Sequence, residues 1–313
     1  MNRAFPRLQT MVTVAALALA VAPLAAAATQ HHPRPQPKAL KPAPVPVRPA
    51  LWVVKGPKGG ATIYLFGTVH ALPKGIGWYD GRVASTFEGT DTLVTEIIEM
   101  PPQAMRPIVQ AKAMLPEGQS LRELMASAPR KAFEAALADN SLPAAALDRY
   151  QPWYAAILLT TLPLLRGGYD PANGVDATLS AKAEAAKRGH EALETAEYQL
   201  GLFAALPMAV QQRYLAEVVK NLPRIKGELG GIIAAWEAGN ASRLARLMNA
   251  DEDDPQLRET LLINRNRAWA RWIRARLAQP GNLFIAVGAG HLAGPGSVQD
   301  QLAKLGIHTT RLQ

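Results

Sequence analysis

The chain has 313 residues, of which 49% are hydrophobic and 19% are charged, a composition typical of a globular protein with a sizeable core. Its formal net charge is +9, but six basic and no acidic residues lie in the first 50 positions, which leaves 28 basic against 25 acidic residues in the rest. This near balance argues against a nucleic-acid-binding surface. The absence of cysteine excludes disulfides, thiolate metal sites and cysteine nucleophiles.

The first 28 residues have the order of a signal peptide. Arg3 and Arg7 precede an apolar run over residues 11–24, and Ala25 to Ala28 supply small residues for cleavage. An uncleaved membrane anchor is the alternative, but the run is weakly hydrophobic and no later stretch reaches the ~20 apolar residues of a spanning helix. Residues 29–50 contain seven prolines and are predicted to form an extended linker. We therefore expect an exported, periplasmic protein that has no membrane span after cleavage.

Residues 51–313 are predicted to form one α/β (α+β) domain. Its strands cluster at the two ends, and its central mixed β-sheet is built from both sets, with a large helical middle insertion packed around it. The predicted strands are residues 51–54, 62–66, 92–97, 191–194, 282–287 and 307–311. The predicted helical parts are residues 82–88, 102–165, 175–188, 196–278 and 295–305, with breaks at prolines that include Pro143 and Pro163. The insertion 102–165 is expected to shape the pocket.

Two Gly-x-x-His turns follow predicted strands near opposite ends of the domain. Gly67 to His70 comes after the strand 62–66, and Gly288 to His291 comes after the strand 282–287. Ligands bind outside the carboxyl ends of strands in open α/β sheets, and imidazole can ligate a metal or move protons near neutral pH. A phosphate-binding turn is the alternative for the second motif, although it lacks the Gly-Lys-Ser/Thr ending of such loops.

Carboxylates lie at the ends of two more predicted strands. Glu96 occupies an apolar strand, where a carboxylate is costly to bury unless it is paired or bound to a metal. Glu194 ends the short strand 191–194 in the same way. Asp176 is read with equal weight as a helix cap or as a site residue. Arg265, inside a long helix, could clamp a carboxylate.

Taken in order, these motifs resemble the TraB/PrgY/GumN family, which is related to the Tiki metalloproteases and more distantly to erythromycin esterases and ChaN haem-binding proteins. The resemblance is carried by residues 64–70, the strand ending at Glu96, and residues 174–176, 193–199, 265–266 and 287–294. It covers essentially the whole domain. It implies a site of paired histidines and glutamates, which here are His70, Glu96, Glu194 and His291, with Arg265 in support.

Two functions of different classes follow. The first is a metal-dependent hydrolase, with a peptidase as the more specific expectation. In this function His70, His291 and Glu96 hold a Zn, Mn, Co or Fe ion, and Glu96 takes a proton from the bound water. A metal-free variant, in which a histidine–glutamate pair activates water directly, stays open. The second is a non-catalytic periplasmic protein that binds haem, a metal or a polysaccharide-pathway partner. A peptide or glycan-related substrate is expected, and the oligomeric state is left open.

Overall fold

A computed structural model describes residues 47–248 and 254–313 of the chain. The predicted signal peptide and the linker up to residue 46 lie outside these residues. Residues 47–50, which the sequence analysis assigned to the linker, pack on the domain instead. The Arg48 amide donates to the Glu237 carbonyl at 2.6 Å, and Ala50 is buried. These residues lead directly into the first strand, and hydrogen bonds such as that to Glu237 hold their backbone against the domain.

Six strands form one mixed sheet, and their order across it is β4-β3-β5-β2-β1-β6. The strands are β1 Leu51–Lys55, β2 Thr62–Thr68, β3 Thr92–Thr95, β4 Gly189–Ala192, β5 Asn282–Gly288 and β6 Thr310–Arg311. The four strands β4, β3, β5 and β2 are mutually parallel, whereas β1 pairs antiparallel with β2 and with β6. Strands from both ends of the chain therefore share one sheet, as the sequence predicted.

Helices cover both faces of this sheet. They are α1 Gly81–Glu88, α2 Pro102–Ala113, α3 Ser127–Asp139, α4 Pro152–Arg166, α5 Val175–Ala185, α6 Ala196–Ala204, α7 Met208–Asn221, α8 Ile225–Glu237, α9 Ala241–Met248, α10 Pro255–Arg258, α11 Asn264–Leu277 and α12 Val298–Ala303. A π-helical turn, Glu259–Ile263, joins α10 to α11. Within the described ranges, no helix combines the length and the apolar character needed to cross a membrane.

Period-two alternation along the strands explains the layered core. In β5, Phe284 and Ala286 point to one face, while Leu283, Ile285 and Val287 point to the other. The first face packs against most of the helices, including the buried aromatic residues of α4. The second face packs against α11 and α12. Strands that are buried on both sides read as continuous apolar runs, which is why β5 was recognisable in the sequence.

Several predicted boundaries differ from the structure. The third strand ends at Thr95 rather than at residue 97, and the fourth spans Gly189–Ala192 rather than 191–194, so Glu96 and Glu194 both lie just beyond their strands. The predicted break at Pro163 is wrong, because α4 continues through it to Arg166. Most of α4 is buried in the core, and this packing outweighs the backbone hydrogen bond that a proline removes.

Candidate active site

Four parallel strands end at the same edge of the sheet, and each delivers one predicted site residue there. Glu194 follows β4, Glu96 follows β3, His291 follows β5 and His70 follows β2, each within three residues of its strand. Because β4, β3, β5 and β2 are neighbours in that order, the four side chains meet although they lie far apart in sequence. The carboxyl edge of a parallel sheet is where ligands bind in α/β folds. The structure therefore brings the predicted residues together.

His70 is paired with Asp176. Its Nδ1 lies 2.6 Å from Asp176 Oδ2, and the ring is buried with 7% of its surface exposed. Since an ionised carboxylate can only accept, Nδ1 carries the proton and Nε2 keeps its lone pair when the ring is neutral. Among the described residues Nε2 has no hydrogen-bond partner, although it is buried. Burial lowers the pKa of His70, but the charge and hydrogen bond of Asp176 outweigh it and raise that pKa to about 8.

The backbone explains how Asp176 reaches His70. Helix α5 begins at Val175, and the Val175 amide donates to the Val69 carbonyl at 3.0 Å. A Cβ on Gly174 would collide with the carbonyl oxygen of His70, so only glycine permits this close approach. The helix is capped by Gly174 without a side-chain hydrogen bond. Asp176 is therefore not the cap that one of our two interpretations proposed, and its carboxylate is directed at His70.

Arg265 is the centre of a buried ion cluster. Its Nη2 donates to Glu96 Oε2 at 2.6 Å and to Glu194 Oε2 at 2.8 Å, and its Nε donates to Glu194 at 3.0 Å. Its Nη1 donates to the Leu261 carbonyl and to His291 Nε2, both at 3.2 Å. All five N–H groups of a guanidinium are thereby occupied. Arg265 clamps two carboxylates and has no donor left for a substrate in this arrangement.

Glu96 is held as an anion from several sides. Its Oε1 accepts from the Gly288 amide at 2.8 Å, and its Oε2 accepts from Arg265 and from Gln199 Nε2 at 3.0 Å. Burial raises the pKa of Glu96, but the charge of Arg265, with smaller contributions from its neighbours, outweighs it and lowers that pKa to about 2. Gln199 also donates to Glu194 at 2.9 Å, so one amide bridges both carboxylates.

His291 is fixed as a neutral ring. Asn266 Nδ2 donates to the Gly296 carbonyl at 2.8 Å, which leaves Asn266 Oδ1 as an acceptor 2.6 Å from His291 Nδ1. Nδ1 must then carry the proton, and Nε2 accepts from Arg265. Burial and the adjacent guanidinium lower the pKa of His291 to about 3. The structure thus places the two histidines in opposite roles, since His70 is readily protonated and His291 is not.

A pocket of about 360 Å³, which includes the space at its open mouth, exposes only part of this constellation. Its walls are formed by His70, Thr95, Glu96, Ile97, Glu99, Asp176, Ser180 and Gln199. Of the predicted site residues, His70 and Glu96 reach this pocket, whereas Glu194, Arg265 and His291 do not line it. The expectation that the helical insertion shapes the pocket is wrong, since none of the lining residues comes from positions 102–165.

The donor atoms fit a three-ligand metal site only in part. His70 Nε2 is open, and Asp176 holds the other ring nitrogen as carboxylates do behind metal-bound histidines. The lone pair of His291 Nε2 faces an arginine N–H instead, and both oxygens of Glu96 accept hydrogen bonds. Within residues 47–248 and 254–313, no three His, Asp or Glu side chains form a metal-binding group. As arranged, His70, His291 and Glu96 do not fit one shared ion.

Three residues that the sequence analysis did not select contribute to the site. Asp176 had a signal, a carboxylate two residues after Gly174 at the start of a helix, but was left undecided. Gln199 and Asn266 lie within the stretches that carry the family resemblance, yet an amide gives no signal of its own in a single sequence. His190 contacts Thr95 Oγ1 at 2.9 Å in the sheet, and His308 is exposed, so both lie outside the constellation.

Similarity to known proteins extends over most of the chain. The model of the TraB/PrgY/gumN family matches residues 50–311, which is nearly the whole described part of the chain. An uncharacterized protein of Treponema pallidum (strain Nichols) is 21% identical over 266 residues, which cover 81% of this chain and 80% of that protein. No solved structure matches the chain.

Proposed function

The chain belongs to the TraB/PrgY/gumN family, and on that premise we propose that it is a hydrolase of amide or ester bonds in which His70 activates water. One observation carries the proposal. His70 Nε2 is a buried nitrogen that has no hydrogen-bond partner among the described residues, it lies at the wall of a pocket, and Asp176 holds the opposite nitrogen. This is the arrangement of a histidine base that is oriented by a carboxylate.

The reaction balances with the residues of this chain alone. His70 Nε2 takes a proton from water, and the resulting hydroxide forms a bond to the carbonyl carbon of the substrate. The bond from that carbon to the amine or alcohol then breaks, and protonated His70 returns the proton to the leaving group. Asp176 stabilises the imidazolium that forms between these steps, and the ionised Glu96 nearby adds to this effect.

The pKa values favour His70 over Glu96 as the base. A general base works best when its pKa lies near the operating pH. The pKa of His70 is raised to about 8, whereas Arg265 and its neighbours hold that of Glu96 at about 2, too low to take a proton from water efficiently. We therefore assign Glu96 to electrostatic support, and Glu194, Arg265 and His291 to the positioning of Glu96.

Hydrolysis is tested with the purified protein on a panel of fluorogenic peptides and aryl esters. We expect turnover by the wild type and a loss of about 10²–10⁴-fold in His70→Gln, the usual contribution of a general base. The exposed His308, which does not line the pocket, provides the matched control, and His308→Gln should retain full activity. Equal activity in both variants, or no turnover on any substrate by the wild type, would reject the proposal.

Metal analysis of the same preparations separates the two hydrolytic routes. We expect activity to survive dialysis against a chelator, because His291 and Glu96 are occupied by Arg265. The metal-dependent route that the sequence predicts stays a prediction. A stoichiometric Zn, Mn, Co or Fe ion that is lost in both His70→Ala and His291→Ala would establish that route and overturn the metal-free one. A red preparation that binds haem and turns over no substrate would instead support the binding function.

We also propose that the protein is exported and that its leader is cleaved. The basic start, apolar run and small residues of the first 28 positions support a cleaved leader, and this segment lies outside the described residues. Expression of the full chain in a Gram-negative host, followed by amino-terminal sequencing of the periplasmic fraction, provides the test. We expect the mature protein to begin at or near Thr29. Recovery of the uncleaved chain in the cytoplasm would contradict export.

A further inference from the structure

The mouth of the pocket is acidic and contains a carboxylate without a partner. Glu99 lines the pocket beside Asp176, and among the described residues it makes no hydrogen bond or ion pair. Asp176 is already paired with His70, and Glu96 with Arg265. No Lys or Arg side chain lines the pocket, so the only cation among its lining residues is His70 when that ring is protonated. Burial and the charge of Asp176 raise the pKa of Glu99, as expected for adjacent carboxylates.

A second observation shows that this pocket is built to receive a ligand. The side chain of His70, only 7% exposed, presents its unpartnered Nε2 at the wall of the same pocket. A buried polar atom without a hydrogen bond is costly unless a bound molecule or water completes it. The acidic mouth and the open imidazole nitrogen therefore belong to one cavity.

Exposed apolar side chains lie next to pocket-lining residues in the sequence. Ile98 and Met100 flank Glu99 in sequence and are 49% and 39% exposed, and Tyr198, next to pocket-lining Gln199, is 48% exposed. These are three of the six large apolar side chains that are exposed in the described part of the chain. A carboxylate between apolar side chains matches a group that has an apolar stem and a cationic tip.

We propose that the pocket selects substrates with a lysine-like side chain beside the bond to be cleaved, whose ammonium group pairs with Glu99. The apolar stem of that side chain packs against Ile98, Met100 and Tyr198. This specificity rests on the proposed hydrolase function and names its substrate class. Glu99 is a specificity residue here and takes no part in the proton transfer.

The test uses two peptides of nearly equal size, N-acetyl-lysyl-alaninamide and N-acetyl-norleucyl-alaninamide. Norleucine has the stem of lysine without the amine. Binding is measured by calorimetry, and cleavage is followed by mass spectrometry. At about pH 8.5 the lysine amine stays charged, while most of His70 is neutral. We expect the lysine peptide to bind about twofold to fivefold more tightly, the effect of one partly exposed ion pair.

Matched variants identify the carboxylate that causes the preference. Glu99→Gln should reduce the ratio of the two affinities to about one, and Glu117→Gln, at an exposed carboxylate that does not line the pocket, should leave it unchanged. Both sites are on the surface, so neither change disturbs the core. Equal binding of the two peptides to the wild type, no binding of either, or a preference that persists in Glu99→Gln would overturn the inference.

Turnover and binding together distinguish this inference from the hydrolase proposal. A lysine preference in binding without any cleavage supports the specificity and counts against the hydrolase. Cleavage of both peptides at equal rates and affinities supports the hydrolase and overturns the specificity.

Discussion

His70 and Asp176 are 106 residues apart in the chain and are joined by a hydrogen bond of 2.6 Å between Nδ1 and Oδ2. The pair is assembled because the turn before α5 lies directly against the backbone of His70. The bond fixes which ring nitrogen carries the proton, and it directs the other nitrogen to the pocket. The first two of the following predictions depend on this pairing.

The rate of hydrolysis should depend on the protonation of His70. The base must be neutral, so kcat/KM should rise with pH through a midpoint near 8, the pKa to which Asp176 raises the ring. In Asp176→Asn the charge of Asp176 is lost, and burial then lowers the pKa of His70 against only the smaller, opposing effects of Glu96 and Glu99. We expect that midpoint to move to lower pH and the maximal rate to fall about 10²–10⁴-fold. A midpoint unchanged by Asp176→Asn would exclude His70 as the titrating base.

The same ion pair should make stability depend on pH. The folded-state pKa of His70, about 8, lies above the ordinary value of 6.5. The stabilisation that protonated His70 gives the fold is therefore complete below pH 6.5 and is lost as the pH rises through 8. A difference of this size corresponds to about 2 kcal/mol. The free energy of unfolding in urea is measured for the wild type and for His70→Gln at pH 6 and at pH 9. The difference between the two proteins should be larger at pH 6 by about this amount. A difference that stays constant with pH would contradict the pairing.

Removal of the Arg265 guanidinium should destabilise the fold strongly. Arg265→Met leaves Glu96 and Glu194 buried without their cation, and breaking such a buried cluster from one side costs about 3–5 kcal/mol. The measurement is the free energy of unfolding in urea. Arg274→Met, at an exposed position on the same helix, is the control and should change it by less than about 0.5 kcal/mol. Equal stability of the two variants would show that the cluster is not important for folding.

A methyl group at Gly288 should impair the site more than the fold. A Cβ there would lie 3.2 Å from Glu96 Oε1 and 3.7 Å from His70 Nε2, in the space that adjoins the base. We expect Gly288→Ala to lower kcat/KM by about tenfold or more, since a misplacement of about 1 Å at a reacting group can cost that much. Gly201→Ala, on α6 where no atom lies within 4 Å of the added carbon, is the control and should keep its activity. Full activity of Gly288→Ala would place the reacting water elsewhere.

The sequence predicted which strands and residues form the site better than it predicted the role of each residue. The apolar runs of β2 and β5, each followed by Gly-x-x-His, were sufficient to predict that both ends of the chain share a sheet. They could not show that His291 meets an amide and a guanidinium, whereas His70 meets a carboxylate. The difference arises from which helix packs above each strand end, and a single sequence holds little information on that packing. Asp176 illustrates the limit, because a carboxylate in a first helical turn reads equally well as a cap.

The pairing of β2 with β5 has a consequence for the stage of synthesis and folding at which the site forms. The strand that carries His291 to the edge begins at Asn282, some 220 residues after β2 begins at Thr62, yet it lies between β3 and β2 in the middle of the sheet. The whole stretch from β2 to β5 must be synthesised before that central position can be filled. A nascent or unfolded chain therefore has no assembled cluster of Arg265, Glu96 and His291, and any reactivity of the site appears only when folding is complete.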